Sequence, residues 1–206
     1  MNRVTLTTAM SALRQKLSEL FSAQRAPAGY QPGRTLGQLR RNLGLARFEW
    51  VSPTLARAIL DDDSLHLEIC ERTESQLLMH LVMTEFSLRL PASTEGAARF
   101  ELHHGGAIRR TGICCRQRTG ERALLGQLQA CLQPDSALHG ALMLLDFKRL
   151  HIELHGHQWL VRLEHMGGSE VVNRMPAFRR YIALSRVQRD ALLAVLAGLQ
   201  RVLRTL

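Results

Sequence analysis

Two seven-residue stretches, 149–155 and 158–164, alternate polar and apolar side chains with period two, Leu160 apart, and only Gly156-His157 separates them. That pattern belongs to half-buried strands, and a Gly-x pair between two such strands is the signature of a type II′ hairpin turn. A turn there pairs His155 with Gln158 and sets the whole register. Leu150, Ile152, Leu154, Trp159, Val161 and Leu163 then share one face. The opposite face carries Arg149, His151, Glu153, His155, Arg162 and Glu164, with Arg149 across from Glu164. Because a slip of one residue would turn every side chain over, pattern and turn must agree, and they do.

The rest of the chain is read around this hairpin. Residues 5–24 place Leu6, Met10, Leu13, Leu17, Leu20 and Phe21 at three- and four-residue steps, an amphipathic helix closed by a Pro/Gly loop over 26–33. A basic helix follows over 35–43, with Leu36, Leu39 and Leu43 on one face and Arg40 and Arg41 off it. Ser52-Pro53 reads as a cap before a short helix to Leu60. From Ser64 the period turns to two, with a second hairpin from 99–103 and 108–115 turned at His104-Gly105-Gly106. Further strands are expected near 170–175 and 180–183. A C-terminal helix over 186–203 is opened by a Ser185/Gln188 capping box, with Leu192, Val195, Leu196, Leu199 and Leu203 as its stripe.

The chain also matches itself. Residues 59–69 align with 144–154, five of the eleven pairs being identical, and Arg89-Leu90-Pro91-Ala92 meets Arg174-Met175-Pro176-Ala177 at the same offset of 85. Under that repeat Leu65, Leu67, Ile69, Leu77, Met79 and Leu81 face the core, with His66, Glu68 and His80 opposite. The fold class expected is α+β: two tandem similar units of helices plus antiparallel strands, with an N-terminal amphipathic helix and a C-terminal helix. The boundaries are 1–33 for the N-terminal helix and loop, 34–118 for the first unit and 119–206 for the second, with one fused domain as the variant.

Charge narrows the function. The net charge is +9, from 27 basic and 18 acidic residues, and all but two of the basic ones are arginine. Residues 1–47 carry +7, 48–175 carry −3 and 176–206 carry +5, so the ends are basic and the body is not. The longest apolar run, about nine residues over 191–199, is far below the roughly 20 that span a membrane. Cys70, Cys114, Cys115 and Cys131 form no Cys-x-x-Cys pair, which fits reduced thiols in a bacterial cytoplasm.

Two candidate sites follow. His151, Glu153 and His155, with His157 past the turn, alternate along a strand at a spacing of about 6–7 Å that lets imidazole and carboxylate share a metal ion. The plainer reading is a solvated sheet face that binds no metal. The second candidate is the basic surface of the ends: Arg34, Arg40 and Arg41, with Arg179, Arg180, Arg186, Arg189, Arg201 and Arg204. Nucleic acid is one partner such arginines suit, but only 5% of residues are aromatic and no nucleic-acid-binding motif is present. His104-Gly105-Gly106 lacks the Gly-x-Ser-x-Gly elbow an esterase would need, and Asp61-Asp62-Asp63 lacks calcium-loop spacing. No nucleophile, base and orienter assemble in the sequence.

The stretch Gly29-Tyr30-Gln31-Pro32-Gly33-Arg34-Thr35-Leu36, leading into a leucine- and arginine-rich helix, resembles an uncharacterised proteobacterial family of unknown function. The resemblance implies a bacterial source and assigns no activity, cofactor or site residue. The function expected is a non-enzymatic binding or adaptor protein of the cytoplasm, engaging an acidic protein partner or another copy of itself through basic terminal helices. The alternatives are a small metal- or ligand-dependent enzyme around His151, Glu153 and His155, and a nucleic-acid-binding protein. The first helix is more simply a docking face than a membrane-surface helix.

Overall fold

The computed structural model describes residues 30–45, 47–60, 65–75, 79–106, 110–174 and 177–206. The helix expected over 5–24, Leu77 and the Asp61-Asp62-Asp63 run lie outside the described residues. Helix α1 (Arg34–Leu43) leads into β1 (Arg47–Ser52), β2 (Leu55–Leu60), β3 (Leu65–Ser75), β4 (Met79–Gly105) and β5 (Gly112–Thr119). Then come α2 (Arg122–Leu132), α3 (Ser136–Leu144), β6 (Phe147–Arg174), β7 (Ala177–Ile182) and α4 (Arg186–Leu203). The fold is α+β, with one seven-stranded antiparallel sheet in the order β1-β2-β3-β4-β6-β7 and β5 on β4. Among the described residues no helix is long and apolar enough to cross a membrane.

The extended stretch β6 doubles back on itself at the expected turn. Arg149 Nη1 lies 3.5 Å from Glu164 Oε1, Arg162 Nη1 lies 3.2 Å from Glu153 Oε1, and the Met166 N–H reaches the Asp146 carbonyl at 3.5 Å. In a straight strand, residues 149 and 164 would stand about 50 Å apart. Gly156, with φ 57°, supplies the positive φ that the first turn position requires. β4 embraces this hairpin. Its Leu90 and Pro91 pair with Trp159 and Gln158, and its Gly96 and Ala97 pair with Gly156 and His155. Residues 92–95 therefore pass around the hairpin tip.

One face of the sheet is apolar and covered by helices. Leu150, Ile152, Leu154, Trp159, Val161 and Leu163 are all buried there, together with Phe86 and Phe100 from β4. Each large side chain so buried contributes roughly 1.5–3 kcal/mol. Leu36 and Leu39 of α1, Leu138 of α3, and Leu192, Val195, Leu196 and Leu199 of α4 close the core from above. The capping box of α4 is formed on both sides, with the Gln188 N–H donating to Ser185 Oγ at 3.2 Å and the Ser185 N–H to Gln188 Oε1 at 3.0 Å.

Three expectations are corrected, and a fourth, the repeat, is not confirmed. Residues 53–60 are no helix: Pro53-Thr54 turn β1 into β2, and the alternation of buried Ala56 and Ala58 with exposed Arg57 shows a period of two. In β4 the faces are inverted, because His80 lies on the helix side with Val82, Thr84 and Phe86, while Leu81 lies on the polar face with Glu85 and Met79 is exposed. The β4–β5 hairpin is wider than expected, with β5 starting at Gly112 and pairing with Gly105. The repeat is not reproduced in the strand pairing. β3 and β4 pair Leu67 with Leu88, and an offset of 85 would put Ile152 against Asn173, yet Ile152 pairs with Phe100 and Asn173 with Met79 and Phe178. The two halves share a single sheet.

Candidate functional site

The face of the sheet that no described helix covers is a layered array of glutamate and arginine. Neighbouring strands place Cys70, Glu85 and Glu164 in one row, and Glu68, Ser87 and Arg162 in the next. Glu85, Glu153 and Glu164 are buried although the face is open, because guanidinium groups lie across them. Arg72 Nη2 is 3.1 Å from Glu85 Oε1, and Arg99 Nε is 3.4 Å from Glu153 Oε1. Nearer the edge, Glu68 is shared by Arg57 and Arg89, and Arg118 holds the Glu101 carboxyl below its usual range by hydrogen bonding to it. Burial, then the Glu85 charge, pushes the Cys70 thiol up to about 11, so it stays a thiol at neutral pH.

The structure brings His151, Glu153 and His155 to this face, but Glu153 is committed elsewhere. Its carboxylate accepts from Arg162 and Arg99 as well as from His155 Nε2 at 3.1 Å. His151 Nδ1 faces Arg99 Nη2 at 3.4 Å, and burial followed by the Arg99 charge keeps that imidazole below its ordinary 6.5. His157 sits at the exposed turn, 3.6 Å from Glu95. Among the described residues no three His, Cys, Asp or Glu side chains converge to hold a metal ion.

The arginines at the ends divide in two. Arg179 is spent on buried Glu170, Arg201 on Asp135, and Arg189 on its neighbour Asp190. Arg40 lies over the Phe48 ring at 5.8 Å, and Arg34 reaches Gln31 at 3.4 Å. Arg41, Arg180, Arg186 and Arg204 are exposed, with no ion-pair partner among the described residues. The two basic ends meet through Asn42: its Nδ2 donates to the Leu184 carbonyl at 3.0 Å, and its Oδ1 accepts from the Leu184 N–H at 2.7 Å and the Tyr181 hydroxyl at 3.4 Å. Arg41 stands one residue from this clasp, Arg180 one residue from Tyr181, and Arg186 two residues from Leu184. The clasp therefore brings Arg41 of α1 and Arg186 of α4 toward one basic surface, whereas Arg180, between Arg179 and Tyr181 on β7, faces the other side of the sheet with Leu81.

Two buried carboxylates on the helix side anchor that surface. α1 starts at Gly33, which has no side chain to cap it, and carries no acid in its first turn. Glu71 of β3 caps it from across the fold: its carboxylate accepts from the Gly33 N–H at 3.1 Å, the Leu36 N–H at 3.1 Å and the Tyr30 hydroxyl at 2.8 Å. Burial, then the Glu71 carboxylate, raises the Tyr30 phenol well above its ordinary 10. Glu170 accepts from Thr35 Oγ1 at 3.1 Å and, in a bidentate contact, from Nε and Nη2 on one edge of Arg179. The sequence reading missed both groups. Their signal was parity, since Glu71 continues the buried series Leu65, Leu67, Ile69.

A family model described as "Protein of unknown function (DUF3156)" matches residues 41–203. The match takes in the whole sheet and α4, and starts within α1. No curated protein and no solved structure matches the chain.

Proposed function

The chain belongs to this family of unknown function, and we propose that it is a non-enzymatic binding protein that engages an acidic macromolecular partner through its basic terminal surface. The observation that carries the reading is the Asn42 clasp, which joins α1 to the β7–α4 connection. Without it the +7 and +5 ends would be two unrelated stretches of charge. With it, Arg40, Arg41 and Arg186 stand at one corner backed by Glu71 and Glu170. A preorganised patch of one sign speeds encounter with a partner of the other sign and fixes its orientation. Guanidinium forks suit the carboxylates of an acidic protein surface.

Affinity capture from bacterial lysate, comparing the wild type with a variant carrying Arg40→Glu, Arg41→Glu and Arg186→Glu, tests the reading. Acidic proteins retained by the wild type, released at about 0.5 M salt and lost in the variant are the expected result. Identical captures by both proteins would overturn it. Retention abolished by nuclease would move the partner to nucleic acid.

A further inference from the structure

The open sheet face holds a cleft of about 410 Å³, distinct from the basic corner and lined by Arg72, Glu85, Arg99, Arg149, His151 and Arg162 among others. That volume is the size of a small-molecule site. Its charges are stratified by depth. The glutamate side chains retain little exposure, 10% for Glu85, 6% for Glu153 and 8% for Glu164, whereas Arg72, Arg149 and Arg99 keep 59%, 52% and 48%. Glu85 and Glu164 form the floor, with Glu153 beneath Arg99 and Arg162, and guanidinium groups make most of the lining; Glu74, 41% exposed, also lines the cleft and is paired with Lys148.

The floor uses only a part of each guanidinium. Arg72 meets Glu85 through Nη2, Arg149 meets Glu164 through Nη1, Arg99 meets Glu153 through Nε, and Arg162 meets Glu153 through Nη1. A guanidinium has five N–H donors on two usable edges, so each of these arginines can serve one anion below and another above. The ion pairs also fix the arginines in place before any ligand arrives, which lowers the entropic cost of binding. Among the described residues no Phe, Tyr or Trp lines the cleft, so they offer no platform for a nucleobase. Four forks around a small volume match an anion with more than one tetrahedral group.

We propose that this cleft binds a small polyanion carrying two phosphoryl groups, gripped by the outer edges of Arg72, Arg99, Arg149 and Arg162. The anion completes a stack of carboxylate, guanidinium and phosphoryl group. The neutral His151 ring at the same cleft can donate or accept one further hydrogen bond.

Isothermal titration of the full chain at about 50 mM salt tests this, with inorganic pyrophosphate in one arm and fructose 1,6-bisphosphate in the other. One-to-one binding with Kd below about 1 mM, and orthophosphate weaker by about tenfold or more, is expected. Tighter pyrophosphate assigns the site to a free diphosphate, and tighter sugar bisphosphate to a phosphorylated metabolite. Arg72→Lys and Arg149→Lys keep the charge and the buried pairing but lose the fork, and each should weaken binding by about tenfold. Arg122→Gln, exposed on α2, should change nothing. No heat in either arm of the wild-type titration overturns the proposal without recourse to any variant. Equal affinity for orthophosphate, or an equal loss in Arg122→Gln, also overturns it, since both mean unspecific adsorption.

Discussion

Replacing Glu71 tests how α1 is held to the sheet. Glu71→Ala removes the acceptor of three donors, the Gly33 and Leu36 N–H groups and the Tyr30 hydroxyl. These losses are unequal. Leu36 is fully buried, so its N–H is stranded at about 1–3 kcal/mol. Gly33 loses the equivalent of an N-cap, about 1 kcal/mol, and Tyr30 can turn to water for less. The total is about 2–5 kcal/mol, centred near 3–4. A chain of this size shifts by about 2–4 °C per kcal/mol, so Tm should fall by about 6–16 °C. Glu71→Gln keeps an acceptor but gives up the charge at the helix N-terminus, for about 1–2 kcal/mol. Tyr30→Phe should cost less again. Thermal melts give the order, and hydrogen exchange over residues 33–36 locates the loss, which should appear in the first turn of α1. A Glu71→Ala protein that melts within about 2 °C of the wild type, or exchanges those amides at the wild-type rate, would refute the capping argument.

Other consequences are open to direct measurement. His165 is fully buried, accepts the Asp146 N–H at Nε2, and is held below its ordinary 6.5 by burial. Because the unfolded chain takes up this proton more readily, stability is complete above about pH 6.5 and is lost as pH falls through the folded value. Urea midpoints between pH 7.5 and 5 should therefore decline, and less steeply in His165→Gln; His151, shifted the same way, accounts for part of the remaining slope. Asp135 caps α3 through the Leu138 N–H at 2.9 Å and pairs with Arg201. Asp135→Ala should cost about 1–1.5 kcal/mol in denaturant titration, most of it from the cap. Gly156→Ala places a Cβ at φ 57° in open space, so its cost is backbone strain alone, about 1–2 kcal/mol in the same titration.

What could be read in the sequence was whatever a short window determines. The β6 hairpin, the stripe and capping box of α4 and the apolar face of α1 each rest on local periodicity with a matching turn or cap, and all four are present. The misread segments lacked such agreement. Ser52-Pro53 suits a helix start and a hairpin turn equally, and only the partner strands decide. In β4 the faces were assigned by analogy with the second half, and a one-residue error turned His80 inward and Leu81 outward.

Charge was legible as a sum along the chain and illegible as pairs in space. Arg179 and Arg201 counted toward a basic terminus in the sequence, yet each is answered by an acid far from it or across a strand. Conversely, the near-neutral middle hides an array of guanidinium groups, because Glu85, Glu153 and Glu164 lie beneath the arginines and not beside them. Net charge weighs both layers equally, while a ligand approaching from solvent meets the outer one first. The depth at which a charge sits, set here by which side chain the sheet buries, decides which part of a −3 segment can attract an anion.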